Sequence, residues 1–181
     1  LARRYGAPVL APPSGSHAFD RPLDDGDVVT LPGDPPWRLR AIHTPGHAPD
    51  HLAFLEETTG VLIAGDMIAN PGSVVIAPHL GGDMSAYLAS LDRLIGEPFS
   101  ALVPGHGLPM ADGREKLAAL KAHRLAREAA VHAAWELGAR DLETLLAAVY
   151  PDIGPESAPL ARESLHAHLI RLGLVAADRP K

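Results

Sequence analysis

The chain has 181 residues, of which 46% are hydrophobic, 4% aromatic and 21% charged, and its formal net charge at pH 7 is −6. It has no cysteine, which excludes disulfides and thiolate zinc sites and leaves histidine and carboxylate groups as the available metal ligands. Residues 1–110 carry the negative balance, with six Lys and Arg against twelve Asp and Glu, and no basic stripe indicates tight binding of a nucleic-acid backbone.

The first part of the chain alternates short strand-like segments with turns. Apolar or alternating segments typical of strands occur at 8–10, 28–31, 37–41, 51–55, 61–64 and 73–76. The fourth and fifth segments flank the turn Glu56-Glu57-Thr58-Thr59-Gly60, which predicts a hairpin.

Helical periodicity begins after the sixth strand-like segment. Asp83 is placed to cap a helix that Gly96 ends, and residues 101–103 then return to a strand pattern. Asp112, with Glu115 three residues later, resembles a capping box that opens a helix to about Leu137.

The C-terminal segment has a pattern of its own. Asp141 is placed to cap one helix, leucines at three- to five-residue intervals predict a second that ends at Gly173, and Leu174-Val175 predicts the start of a short strand. We therefore predict a boundary after Gly138, which divides the chain into residues 1–138 and 139–181.

Three strand-like segments each end in a side chain that can bind a metal. They close with Thr-Pro-Gly-His47, Ile-Ala-Gly-Asp66 and Val-Pro-Gly-His106, and the glycine before each ligand lets the backbone turn sharply. Two imidazoles and one carboxylate gathered from three strand ends predict a metal site, although the set looks incomplete.

These motifs resemble those of the metallo-beta-lactamase-fold hydrolases, in particular the subgroup similar to beta-lactamase-like protein 2. The resemblance rests on residues 44–51, on Gly65-Asp66 and on residues 103–107, and it extends to residues 82–84, Tyr87-Leu88 and His123-Arg124. It implies an α/β fold, a partial αββα sandwich followed by a small winged-helix-like helical segment.

The same resemblance implies a site with two zinc ions. His47 matches a ligand of the first zinc, Asp66 the bridging carboxylate and His106 a ligand of the second. A zinc-bound hydroxide would then hydrolyse a thioester, an ester or a similar bond in a small-molecule substrate. For His43, His51 and Asp83 we expect at most supporting or substrate contacts, while His17, His79 and His132 fit no pattern.

The family's other ligands come from a His-x-His-x-Asp-His motif, which is absent from these residues. We therefore expect the chain to be the C-terminal part of a longer protein, with weak or no zinc binding and no activity alone. We also expect an apolar sheet face that the rest of the protein, or another copy in a homo-oligomer, would cover. No apolar run approaches bilayer length, which predicts a cytoplasmic protein without a membrane partner.

Two other functions stay open from the sequence. The resemblance also suggests a single-strand endoribonuclease, but RNA is not the favoured partner because such binding needs cationic or aromatic contacts that are scarce here. A non-enzymatic binding or assembly module with a vestigial metal site is the third hypothesis.

Overall fold

The computed structural model describes residues 2–15 and 18–176; His17 lies outside these residues. Seven strands and five α-helices are present in these ranges. The strands are β1 Leu10–Ala11, β2 Arg21–Pro22, β3 Val28–Leu31, β4 Trp37–His43, β5 Leu52–Glu56, β6 Val61–Asn70 and β7 Ala101–Gly107. The helices are α1 Ala2–Tyr5, α2 Met84–Gly96, α3 Gly113–Glu136, α4 Leu142–Val149 and α5 Ala158–Arg171, with a 3-10 turn at Pro78–Leu80.

The main sheet has five strands in the order β3-β4-β5-β6-β7. Neighbours from β3 to β6 are antiparallel, as the predicted hairpin requires, whereas β6 and β7 are parallel and are joined through α2. This arrangement confirms the predicted α/β class. It also brings the end of β7 alongside the second half of β6.

One face of the sheet is buried and the other is half-exposed. Leu55, Leu62 and Leu102 form a row across three strands and belong to the main core, which α2 and α3 cover. The opposite row includes Phe54, which is half-buried, and Ile63, which is 38% exposed. An apolar outer face was expected from the sequence.

The C-terminal helices form a second core with the end of α3. Val131, Leu145 and Leu165 are buried in it. Helix α5 also contacts the first core, because Ala167 packs there and the Ser164 hydroxyl accepts a hydrogen bond from the Ile76 N–H at 3.5 Å. Contacts therefore cross the boundary after residue 138, and the division into two domains stays a prediction.

Four local predictions need correction. The strand at 73–76 is wrong, because its backbone is irregular and its polar groups bond to side chains of α3 and α5 instead of a neighbouring strand. The first strand begins at Leu10 instead of residue 8, since it pairs with β2 only from there. Asp112 precedes α3 but its side chain accepts no capping hydrogen bond. Leu174-Val175 forms a bend that ends the C-terminal core, and not a strand.

None of the helices in the described part of the chain is long and apolar enough to cross a membrane.

Candidate metal centre

His47 lies in the loop between β4 and β5, directly after a glycine that no other residue could replace without rearrangement. Gly46 has φ +136°, and a Cβ there would lie 2.3 Å from the Tyr87 Cα. The Asp83 N–H donates to the Gly46 carbonyl oxygen at 2.9 Å. The start of α2 therefore holds the turn that presents the His47 imidazole.

The His47 ring is oriented by a backbone carbonyl. Its Nδ1 lies 2.8 Å from the Val75 carbonyl oxygen, so Nδ1 carries the proton and donates it. The lone pair is then on Nε2, which faces Asp66. A hydrogen bond of this kind commonly fixes the tautomer of a metal-binding histidine.

Asp66 projects from an irregular stretch of β6. The register between β6 and β7 shifts on both sides of Gly65, whose φ is +51°. Such bulges re-aim side chains at the edge of a regular ladder. The Asp66 carboxylate therefore projects from β6 close to the place where β6 pairs with β7.

His51 holds the backbone of Asp66 in place through a hydrogen bond. Its Nε2 accepts a hydrogen bond from the Asp66 backbone N–H at 3.0 Å, and its Nδ1 lies 2.7 Å from the Thr44 hydroxyl. Because Nε2 is an acceptor, Nδ1 carries the proton in a neutral ring. Burial, reinforced by His47, lowers the pKa of His51 below its ordinary value of 6.5, which also favours the neutral form.

His106 reaches the same place from the end of β7. It is the most exposed of the three predicted ligands, with 80% of its side chain accessible. Gly105 lets the strand pass close to Asp66, since a Cβ at this position would lie 2.3 Å from the Asp66 Oδ1. The parallel pairing of β6 and β7 thus places an imidazole next to the carboxylate.

Two of the three predicted ligands, His47 and His106, converge on the third, Asp66. The His106 Nε2 lies 3.4 Å from the Asp66 Oδ1, and the His47 Nε2 lies 3.8 Å from the Asp66 Oδ2. About a third of the His47 and Asp66 side chains is exposed. Each imidazole therefore faces a different oxygen of one accessible carboxylate.

The donors suit zinc in kind, because neutral imidazole nitrogens and carboxylate oxygens are among its usual ligands. Their number falls short, since each side of Asp66 offers one oxygen and one nitrogen, whereas a catalytic zinc usually has three protein ligands. Consistently, residues 2–15 and 18–176 contain no group of three or more His, Cys, Asp or Glu side chains that could hold an ion. Asp66 therefore has one imidazole facing each of its two carboxylate oxygens.

The remaining candidates have structural contacts. The His43 Nε2 donates to the Pro49 carbonyl oxygen at 2.9 Å, and the His43 backbone N–H bonds to Asp25. The Asp83 carboxylate caps α2 by accepting from the Ala86 N–H at 2.9 Å. These contacts account for both side chains without a role in binding a metal.

Sequence reasoning missed two partners of the site. The Val75 carbonyl is a backbone group, so no residue type at that position announces it. Thr44 begins the Thr-Pro-Gly-His segment. It lies seven residues before His51 across a tight turn, and this spacing was the signal that could have predicted their contact.

Comparison with known proteins gives one consistent family. The family model described as the Metallo-beta-lactamase superfamily matches residues 3–106, more than half of the chain. The chain is 34% identical over 104 residues to the atrochrysone carboxyl ACP thioesterase of Aspergillus chevalieri, covering 58% of this chain and 31% of that protein. It is 30% identical over 149 residues to the lactamase-like protein aptB of Emericella nidulans, covering 77% of this chain and 46% of that protein.

Solved structures agree with this match. A metallo-beta-lactamase family protein from Thermus thermophilus is 31% identical with a TM-score of 0.69, covering 90% of this chain and 53% of that one. A beta-lactamase domain protein from Burkholderia ambifaria is 28% identical with a TM-score of 0.74, covering 90% of this chain and 48% of that one. The chain spans about half the length of these structures and less than half of the two curated relatives.

Proposed function

The chain belongs to the metallo-beta-lactamase superfamily, and we propose that it contributes one part of the active site of a hydrolase acting on a thioester or ester of a small molecule. The observation that carries this proposal is the convergence of His47 and His106 on the two carboxylate oxygens of Asp66. Three side chains 19 to 59 positions apart in the sequence meet there.

Within this proposal, His47, Asp66 and His106 are the chain's share of a two-zinc centre. Bound zinc would supply Lewis acidity and make water a nucleophile at neutral pH. The site's remaining ligands would have to come from groups outside the described residues. Zinc is proposed as the metal because imidazole and carboxylate groups are among its usual protein ligands.

The chain's own residues orient and tune these donors. The Val75 carbonyl keeps the proton of His47 on Nδ1, which leaves Nε2 free to bind. His51 fixes the backbone of Asp66 while staying neutral, so it adds no positive charge beside the carboxylate. The exposed ring of His106 leaves that side of Asp66 accessible to solvent and substrate.

The choice of a thioester or ester is supported by two observations. One relative is named a carboxyl ACP thioesterase, and a second, from Emericella nidulans, is named thioesterase pkgB. The acidic balance of residues 1–110 and the low aromatic content disfavour a single-stranded nucleic-acid substrate.

A thioesterase assay on the product of the complete reading frame that encodes this chain tests the proposal. Thiol release from a small acyl thioester is followed with and without a chelator; these 181 residues contribute no thiol background. We expect chelation to abolish release and Asp66→Asn to lower kcat/KM by about 100-fold or more. Asp112→Asn is the matched control, because its carboxylate accepts no capping bond and is not at the site.

The same protein is assayed on single-stranded RNA. Chelator-sensitive RNA cleavage without thioester cleavage would replace this proposal with the endoribonuclease. If neither substrate is cleaved and the chelator changes nothing, the chain belongs to a non-enzymatic module.

A further inference from the structure

A cleft borders the segment that orients His47. Its walls come from residues 73–75, from α3, from α5 and from the loop before α5, and its volume is about 220 Å³. A cavity of about 150 Å³ is enough to hold benzene. The cleft therefore has room for one substituted aromatic ring or an aliphatic group of similar size.

The lining of the cleft is mostly apolar. Val74, Tyr150, Ile153 and Leu160 contribute to its walls. Val74 is buried, whereas Leu160 is 54% exposed and stands at the edge. Such a surface favours an apolar ligand body because it removes that body from water.

The charge in the cleft is positive. Arg124 and His123 from α3 line it, and none of the described residues in its lining is Asp or Glu. The pKa of His123 is lowered from its ordinary value of 6.5, first by burial and then by the charges of Arg127 and Arg124. The same positive surroundings that oppose protonation of His123 would attract an anion.

Arg124 is the positively charged lining residue whose side chain is held in place by hydrogen bonds. Its side chain is buried, with 3% exposed, and donates to the Ser73 hydroxyl at 2.9 Å and to the Val74 carbonyl. Within residues 2–15 and 18–176, its buried Nε has no hydrogen-bond partner. The guanidinium keeps its positive charge at neutral pH, so its field in the cleft favours an anionic ligand over a neutral one.

We propose that this cleft binds a small carboxylate with an apolar body, of the size and kind of an aromatic acid. The carboxylate lies on the side of the cleft that Arg124 lines, and the ring packs on Val74, Ile153 and Leu160. Val75 lines the same cleft and its carbonyl accepts the His47 bond, so the bound acid lies against the segment that orients His47. The binding is independent of the proposed hydrolase activity.

Calorimetric titration of the 181-residue chain with benzoate tests this inference. We expect saturable binding with a Kd of about 1 mM or lower, which is reasonable for a ligand of this size. Benzamide has the same shape without the charge and should bind at least about tenfold more weakly. Signals of the His123 ring, followed by NMR, should shift with benzoate and not with an equal concentration of inorganic phosphate.

Two matched variants locate the site. Leu160→Glu places a negative charge at the edge of the cleft and should weaken benzoate binding at least about tenfold. Leu137→Glu makes the same change at a leucine that is 89% exposed and outside the lining, and should leave binding unchanged. Both leucines are exposed, so both variants should fold.

Three results of the binding measurements would overturn the inference. They are the absence of saturable benzoate binding, equal binding of benzamide, and equal binding by the Leu160 and Leu137 variants. An NMR shift of His123 produced equally by phosphate would identify a nonspecific anion effect and would also overturn it.

Discussion

Gly105, in β7, lies so close to the Asp66 carboxylate that the gap between them is too small for a methyl group. A Cβ at this position would lie 2.3 Å from the Asp66 Oδ1 and 2.8 Å from the Gly65 carbonyl carbon. Its φ is not in the left-handed region, so alanine would be tolerated by the backbone and excluded only by space. A single added methyl group would therefore have to move the carboxylate or the strand.

We predict that Gly105→Ala lowers thioesterase kcat/KM of the complete protein by about tenfold or more, since catalytic groups must be held closely. Gly96→Ala is the control, because a Cβ there meets nothing within 4 Å and the residue ends α2. That variant should keep full activity. Equal activity of both variants would show that the close approach of Gly105 is unimportant.

His168 is a second residue whose surroundings make a measurable prediction. It is completely buried between α5 and α3, where its Nδ1 lies 3.2 Å from the Glu128 Oε2. Burial lowers the pKa of His168 below 6.5, Arg124 and Arg171 act in the same direction, and Glu128 opposes them. The folded state therefore binds a proton less readily at this site than the unfolded state does.

It follows that the free energy of unfolding should be unaffected by His168 above pH 6.5 and should fall as the pH drops below that value, because the unfolded state then takes up the proton. Urea unfolding at pH 7.5 and pH 5.5 measures the loss. His168→Gln should reduce this loss, whereas His166→Gln on the same helix should not. A pH dependence that is identical in all three proteins would contradict the assignment.

That these three side chains come together could be predicted from the sequence, while the contacts that orient them could not. His47, Asp66 and His106 were identified because a strand pattern, a glycine and a ligand recur three times. The Val75 carbonyl has no sequence signature, and its position depends on how residues 73–76 pack against α3 and α5. Tertiary packing, which a local sequence pattern does not contain, determines the position of this carbonyl.

Among the strands and helices, too, the features that depend on local patterns were predicted and those that depend on tertiary pairing were not. The hairpin of β5 and β6 and the helices α2, α4 and α5 follow their predicted patterns, because periodicity and capping are local. Strand β6 runs to Asn70, well past the predicted residue 64, because the parallel partner β7 continues the pairing through two shifts of register. Gly65-Asp66 therefore looks like a strand end in the sequence and is a bulge in the structure.

Capping at Asp83 gives a test of local structure. We predict that Asp83→Ala lowers the free energy of unfolding by about 1 kcal/mol, because the Ala86 N–H loses its acceptor. Asp83→Asn should retain most of the stability, since asparagine is also a good cap. Urea unfolding measures both changes.

Asp112→Ala is the matched control, because the Asp112 side chain accepts no capping hydrogen bond; its loss should be smaller. Equal losses in the two alanine variants would contradict the capping role. If Asp83→Asn keeps its stability but loses thioesterase activity, Asp83 contacts the substrate as well.

Considered as a whole, the described residues combine a half-exposed apolar sheet face with a small set of donors around Asp66. The outer face of the sheet carries Phe54 and Ile63 in a half-exposed row, and each side of Asp66 offers two donors. Both features are consistent with a chain that spans about half the length of the solved structures it resembles. Both were expected from the sequence, because these residues contain no His-x-His-x-Asp-His motif.

We predict that the 181-residue chain binds zinc weakly, with a Kd above about 1 μM, because two donors per ion are too few. Calorimetry with zinc and metal analysis after gel filtration measure this. The product of the complete reading frame is the comparison and should retain zinc if it supplies further ligands. Tight stoichiometric zinc in the 181-residue chain would refute the partial-site interpretation.

The parallel pairing of β6 with β7 also has a consequence for the order in which the protein folds. His47 and Asp66 are joined by a local hairpin, whereas His106 arrives only after α2 has closed a loop of some thirty residues between the two strands. Pairing across a longer loop is slower, because its entropy is lost before the contacts form. We therefore expect the imidazole of His106 to reach Asp66 later in folding than the imidazole of His47 does.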